Sequence, residues 1–395
     1  MIARRTVACL AVSQLVCWGV SYYLIGVFGE RIGAELGWSR ALVFGGFSAA
    51  LVVMGLVSPA VGTLIDRFGG GRVMAMGSLL SACGCLWLSL AQDLVGYYGA
   101  WICLGLAMRA TLYEAAFAAL ARIGGPLAQR PIAQVTLLGG LASSCFWPLG
   151  HLLAESFGWR GALLCYAAFA LFTLPLHLAI PSRRHDAAEA AEPAVPSEPV
   201  VSGRNGHIQI ALLYAVIMSL TSALSSAMSA HMIGLLSELG LAAALAVSVS
   251  ALRGIGQSLA RLAEVLFGGR LHPVTLNLLA TLALPCCFVI GLAGGGHLSA
   301  AAVFAFVYGA GNGIITIAGG TMPLILFDIR TYGAIVGWLR VPSFLLSAMA
   351  PFAFAALLED FGAEAVLYLS IFLSLVTLAA AVALRTLVIR PQRSA

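Results

Sequence analysis

The sequence predicts an all-α membrane protein whose twelve transmembrane helices form two pseudo-symmetric six-helix bundles, and three observations predict it. Of the 395 residues, 61% are hydrophobic and only 9% are charged. A soluble domain carries about 25% charged residues to cover its surface, so this chain must sit in lipid. The apolar residues fall in continuous runs of about twenty, the length that crosses a bilayer as a helix. The two halves of the chain also echo one another at a nearly constant offset.

The runs lie near 6–28, 41–61, 73–91, 95–120, 131–153, 160–180, 207–233, 242–266, 273–293, 298–325, 333–357 and 364–388. They are too long and too uniform for barrel strands, which show segments of about ten residues with alternating polarity. The first run follows Arg4 and Arg5 as a signal peptide would. Its apolar stretch is too long and no small-residue cleavage site follows, so it reads as an uncleaved span. The only long polar stretch is 181–206, PSRRHDAAEAAEPAVPSEPVVSGRNG. Proline, alanine and glutamate without hydrophobic anchors predict a disordered cytoplasmic linker. It separates an N-terminal bundle, 1–180, from a C-terminal bundle, 207–395.

All 21 basic residues are arginine, and the net charge is +5. Given the spans, fourteen fall on one side: Arg4, Arg5, Arg67, Arg72, Arg122, Arg130, Arg183, Arg184, Arg204, Arg270, Arg330, Arg385, Arg390 and Arg393. Arg31, Arg40 and Arg160 fall on the other. The positive-inside rule then places both termini and the linker in the cytoplasm, and the expected location is the cell inner (plasma) membrane. The basic excess marks topology and predicts no nucleic-acid partner. The nine cysteines lie in apolar runs, are odd in number and have no CxxC spacing, so they predict neither a metal nor a disulfide framework. No cofactor is expected: there is no GxxxxGK[ST] loop, and no Ser/His/Asp grouping or metal-ligand spacing supports an enzyme.

The repeat shows at three places. Glu35-Leu36-Gly37-Trp38 is echoed by Glu238-Leu239-Gly240-Leu241, Ser156-Phe157-Gly158-Trp159 by Asp360-Phe361-Gly362-Ala363, and Pro148 by Pro351, at offsets of 203 or 204 residues. Each match is weak alone, but three at one offset in corresponding spans point to duplication of a six-helix unit, the signature of secondary transporters.

Between spans 2 and 3 the chain reads Gly62-Thr63-Leu64-Ile65-Asp66-Arg67-Phe68-Gly69-Gly70-Gly71-Arg72. Between spans 8 and 9 it reads Ala260-Arg261-Leu262-Ala263-Glu264-Val265-Leu266-Phe267-Gly268-Gly269-Arg270 at the same spacing. This paired pattern resembles the loop motif of the major facilitator superfamily, and the resemblance implies a conformational latch at Gly62, Asp66, Arg67, Gly69, Arg72, Glu264 and Arg270. Gly62 would permit close helix approach, and Asp66 with Arg67 or Arg72 would form a charge latch. Gly37-Trp38-Ser39-Arg40, Ser58-Pro59-Ala60 and Gly158-Trp159-Arg160 are similar to signatures of the monocarboxylate and oxalate/formate antiporter-like branch. The chain departs from that branch in having no lysine, and Val249 stands where relatives place an acid before the arginine of span 8.

A charge at a helix centre costs about 2.5–3.5 kcal/mol on insertion scales, so each one needs a partner, a wet cavity or an interface. Arg109 lies too deep in span 4 to snorkel, and Glu114 sits about 140° round the same helix, a poor partner for it. Each must answer to another span or to a ligand. Arg253 in span 8 heads a polar stripe with Gln257, Arg261 and Glu264, and it matches the anion-binding arginine of the resembled branch. Arg340 in span 11 is within snorkelling reach of the cytoplasmic end, and the branch keeps a basic group in that span. Spans 1, 4, 5, 7 and 10 line the path in this superfamily, which adds Gln14, Trp18, Tyr22, Tyr113, Trp147, Ser222, Ser226 and Asn312 as candidates.

The expected function is therefore a secondary active transporter of a small organic anion, a mono- or dicarboxylate, working by alternating access with proton coupling or exchange. Substrate contact is assigned to Arg109, Arg253, Tyr113, Asn312, Trp18, Tyr22 and Arg340, and proton coupling to Glu114. Alternatives are a proton-driven exporter of amphipathic or toxic compounds and a non-transporting receptor or assembly factor. The expected partners are a small-molecule substrate, protons and the lipid bilayer, and the protein is expected to act as a monomer.

Overall fold

The computed structural model describes residues 2–185, 204–267 and 271–389. The predicted linker falls largely outside the described residues, as do Arg270 and the arginines 390 and 393. Every regular element is helical among the described residues. Eight helical stretches are long and apolar enough to cross a membrane; one runs 85 residues and another 60, because successive spans continue into one another across kinks.

In chain order, span 1 is α1 (Arg4–Cys17) and α2 (Leu24–Leu36), joined by a π-helical turn, Trp18–Tyr22. Span 2 is α3 (Arg40–Phe68), whose first turn is capped by the Ser39 hydroxyl accepting from the Leu42 N–H at 3.4 Å. Span 3 is α4 (Gly70–Leu90). Span 4 starts at an Asp93 cap and breaks into α5 (Leu94–Thr111) and α6 (Tyr113–Gly124) at Leu112, whose backbone is extended. Spans 5 and 6 are α7 (Gln129–Gly140) and α8 (Ala142–Leu178), the latter bent at Gly158. Spans 7 to 9 are α9 (Arg204–Glu238), α10 (Ala243–Phe267) and α11 (Pro273–Gly294). Span 10 is α12 (Leu298–Thr321) followed by α13 (Pro323–Leu326). Spans 11 and 12 are α14 (Tyr332–Leu339) and α15 (Val341–Val388), the latter bent at Gly362.

The repeat seen in the sequence is repeated in the backbone. Gly37 and Gly240 both have positive φ, 68° and 104°, and each ends the first span of its half. Gly158 (φ 69°) and Gly362 (φ 78°) make the same corner between the fifth and sixth spans, a conformation that only glycine adopts without strain. Helix crossings correspond as well: a Cβ on Gly105 would lie 2.6 Å from the Ala50 carbonyl, and one on Gly309 would collide with the Arg253 carbonyl. These pairs are again 203 or 204 residues apart. Leu79 and Leu86 on span 3, Leu164 and Phe172 on span 6, Leu279 and Val289 on span 9, and Phe372 and Leu375 on span 12 are exposed apolar side chains of the kind a bilayer covers.

Packing divides the chain into two compact units, 1–185 with 323–341, and 186–322 with 342–395. Residues 323–341, which the sequence places in the second bundle, thus pack with the first unit. Within it, α14 lies on α3 through glycines. A Cβ on Gly337 would stand 2.6 Å from the Ser58 carbonyl, and one on Gly62 would collide with the backbone of Gly333. Gly62 does permit close approach, and its neighbour is span 11.

Candidate functional site

In the first unit the break in span 4 organises the polar groups. Interrupting a buried helix strips carbonyls of their intrahelical donors, and these must find others. The Gln14 amide donates to the Thr111 carbonyl at 2.6 Å, tying span 1 to the break. Arg109, one turn earlier, is 1% exposed. Its Nε donates to the Ser58 hydroxyl at 2.8 Å and its Nη2 to the Ser58 carbonyl at 3.2 Å. Pro59 follows Ser58 within α3. One edge of the guanidinium is thereby fixed to span 2. Its Nη1 has no hydrogen-bond partner among the described residues, and the same holds for Gln14 Oε1 and Trp18 Nε1. A buried charged donor left unpaired costs several kcal/mol on the scale of burying an uncompensated charge. The three polar atoms lie on the two spans that the Gln14–Thr111 hydrogen bond joins at the break.

Glu114 stands in the first turn of α6, beyond the break. Its Oε1 accepts from Arg340 Nη2 at 2.8 Å, with the two side chains 11% and 18% exposed. Arg340 is the single residue between α14 and α15, so the ion pair joins two discontinuous helices. The reading that Arg109 and Glu114 answer to other spans agrees with these partners. The Trp18 ring centroid lies 4.9 Å from those of both Tyr22 and Tyr113, and the Tyr113 hydroxyl donates to the Thr136 carbonyl at 3.2 Å. Trp147 is half exposed and meets Tyr23 edge-on.

In the second unit, Arg253 Nη2 donates to the Ser229 hydroxyl at 2.7 Å, and the guanidinium carbon lies 5.6 Å from the Tyr308 ring centroid. Ser226 donates to the Ser347 carbonyl. Asn312, on α12, is partly exposed, and its carbonyl accepts from Thr316. Arg261 Nη2 reaches the Thr316 hydroxyl at 3.4 Å. The structure brings Trp18, Tyr22, Arg109, Tyr113, Glu114 and Arg340 together in the first unit, and leaves Arg253, Asn312 and Glu264 in the second.

The loop motif behaves differently from the expected charge latch. Asp66 Oδ1 accepts from the Gly333 N–H at 3.0 Å and Oδ2 from the Ala334 N–H at 2.7 Å. It therefore caps the start of α14, where orphan N–H groups and the helix dipole favour a carboxylate. The Asp66 carbonyl also accepts from Arg122 and, at 2.8 Å, from Arg184. Arg67 lies over the Phe68 ring, and both Arg67 and Arg72 are exposed. Pairing Asp66 with either of them is corrected on that ground: the N–H groups of a helix end outcompete a solvated guanidinium. Gly69 turns the chain at φ 90° between α3 and α4.

The partners missed from sequence are Ser58, Thr111, Arg122, Arg184, Gly333, Ala334 and Gly337. Most lie far along the chain from the residues they serve, and no local pattern marks them. Gly158-Trp159-Arg160 turns out to be a clamp at the opposite end of the unit. The Trp159 indole donates to Glu35 at 2.6 Å, and Arg160 reaches both Glu35 at 3.0 Å and the Ser89 carbonyl at 2.6 Å.

Comparison with known proteins agrees with the helical fold. The profile of the Major Facilitator Superfamily matches residues 10–322. Human monocarboxylate transporter 11 is 30% identical over 172 residues, covering 40% of this chain and 34% of that protein. The multidrug resistance protein MdtL of Shigella flexneri is 30% identical over 195 residues, 48% of each chain. The chain thus spans about a third to a half of the length of these curated relatives. Among solved structures, the human organic anion transporter MFSD10 (TETRAN) superposes with a TM-score of 0.72 at 17% identity, over 96% of this chain and 99% of that one. The proton:xylose symporter XylE superposes with a TM-score of 0.74 at 12% identity, over 95% and 94%.

Proposed function

Since this chain belongs to the major facilitator superfamily, and is a multi-pass membrane transporter of small molecules and not an enzyme, we propose that its substrate is a small organic anion, a mono- or dicarboxylate. The observation that carries this reading is Arg109, anchored to Ser58 along one edge and left with a buried, unpaired Nη1. A carboxylate is the ligand that a fixed guanidinium edge recognises best. The matched segment of a monocarboxylate transporter supports the same chemistry.

Glu114 is the proton site in this proposal. Its partner Arg340 is the cation that an entering anion would share. Arg253, with Tyr113, Asn312, Trp18 and Tyr22, completes substrate contact. The bundles 1–180 and 207–395 are the bodies that alternate. The Asp66 cap on α14 is the latch of the first motif in this proposal, with Gly62, Arg67, Gly69 and Arg72, and Glu264 and Arg270 are its counterparts in the second. The protein acts as a monomer in the plasma membrane with both termini cytoplasmic.

The test is uptake of labelled pyruvate, lactate, oxalate and succinate into proteoliposomes under an imposed pH gradient. Arg109→Ala and Arg253→Ala should each abolish flux while the protein remains folded; full flux in both would sink the assignment. The partly open aromatic groups about Trp18, with the partial likeness to a multidrug resistance protein, favour a second reading as a proton-driven exporter of amphipathic compounds. Flux of a lipophilic cation with no anion flux would select it.

A further inference from the structure

We propose that the anion bound at Arg109 carries a planar aromatic ring, which lies on a face built from Trp18 and Tyr22 and backed by Tyr113. This rests on the organic-anion reading and narrows it to arylcarboxylates.

The rings form a connected group within the first unit. Trp18 meets Tyr22 and Tyr113 at 4.9 Å each and Tyr23 at 6.0 Å, and Tyr22 meets Phe47 at 5.0 Å. The interplanar angles about Trp18 are 55°, 47° and 40°, tilted rather than stacked. Exposure sorts the aromatics of the unit. Tyr97, Trp101 and Tyr166 are fully buried and Tyr113 is buried with its ring stacked on Phe117, whereas Trp18, Tyr22, Tyr23 and Phe47 are partly open.

The Trp18 indole N–H is buried without an acceptor among the described residues, as is that of the packed Trp101, but Trp18 alone of the two has a partly open ring. The group also sits on the π-turn, closed by the Tyr23 N–H bonding the Trp18 carbonyl at 3.1 Å. Such turns are rare departures from the α-helix and are frequent at functional sites. The face is tied to the guanidinium by covalent and hydrogen-bonded links. Tyr113 follows Arg109 by four residues, and Gln14, one turn before Trp18, holds the intervening Thr111 carbonyl. An arylcarboxylate would place its carboxylate on Arg109 Nη1, its ring on the tilted aromatics and a ring or keto oxygen within reach of the Trp18 N–H. An aliphatic acid satisfies the guanidinium alone.

The experiment is titration of the purified full chain with benzoate and phenylpyruvate against acetate and pyruvate, with benzyl alcohol as the uncharged control, read by calorimetry. The aryl acids should bind at least about tenfold tighter than their aliphatic counterparts. Trp18→Ala should collapse that ratio towards one, and Trp18→Phe should restore part of it. Should Trp18→Ala fail to fold, Tyr22→Leu reads the same ratio. Equal affinity for aryl and aliphatic acids, or an unchanged ratio in the variants, overturns the aromatic proposal and leaves the anion reading standing. Binding of benzyl alcohol with no binding of any acid overturns both.

Discussion

The ion pair between Glu114 and Arg340 allows its contribution to be isolated by a double-mutant cycle. At 2.8 Å and an effective dielectric of about 20, the gross attraction is about 6 kcal/mol, much of which desolvation of the two ions cancels. Removing one partner of such a pair leaves an uncompensated charge in a site that is at least four-fifths closed, which costs about 3 kcal/mol, the lower end of the range for fully buried pairs. Glu114→Gln and Arg340→Gln should each show that loss. The double variant leaves two neutral amides and should recover about 2–3 kcal/mol relative to the sum of the single effects. The assay is denaturant unfolding of the detergent-purified protein, followed by tryptophan fluorescence. The same four proteins, reconstituted, report function. Glu114→Gln should retain substrate exchange between the two sides yet lose the acceleration of uptake by an inward proton gradient. Stability effects that add within about 0.5 kcal/mol would refute the pair. A Glu114→Gln variant that still responds fully to the proton gradient would refute its role in coupling.

Two other outcomes follow from the seat of α14. Gly337→Ala places a Cβ 2.6 Å from the Ser58 carbonyl and 3.0 Å from the Pro59 Cα, so the helices must separate by nearly 1 Å, an overpacking cost of about 1–3 kcal/mol. A cysteine at the buried Ile65, in a background lacking the native cysteines, should then react with maleimide roughly 5 to 150 times faster, as the undocked population grows. Asp66→Ala strips the Gly333 and Ala334 N–H groups of their acceptor and should raise the same labelling by about tenfold, a cap loss of about 1–2 kcal/mol. Asp66→Asn, which keeps an acceptor oxygen, should fall between Asp66→Ala and the parent.

The parts of the fold that were legible share a cause. Gly37, Gly158, Gly240 and Gly362 announced the repeat because positive φ restricts the residue type. The apolar runs announced the spans because lipid tolerates little else. The break at Leu112 was invisible, since Ala110-Thr111-Leu112-Tyr113 contains neither proline nor glycine and the gap is held by Gln14 from another span. The charges Arg109, Glu114 and Arg340 were found because charge in a bilayer is conspicuous. Their partners were not, because Ser58 is 51 residues from Arg109 and Arg340 is 226 residues from Glu114. The loop motif was half legible: its glycine and aspartate make contacts their chemistry allows, but the surface they meet lies 267 residues away and presents only backbone.

The docking of residues 323–341 on the first unit sets a limit on how this chain can be divided. A cut anywhere between 186 and 203 appears natural by sequence, yet it would leave the N-terminal fragment without the helix that seats on Gly62 and Ser58 and that Asp66 caps. The C-terminal fragment would carry that helix with no groove to receive it. Split versions of the protein should therefore accumulate only when both fragments are produced in the same cell, each acting as the folding template of the other.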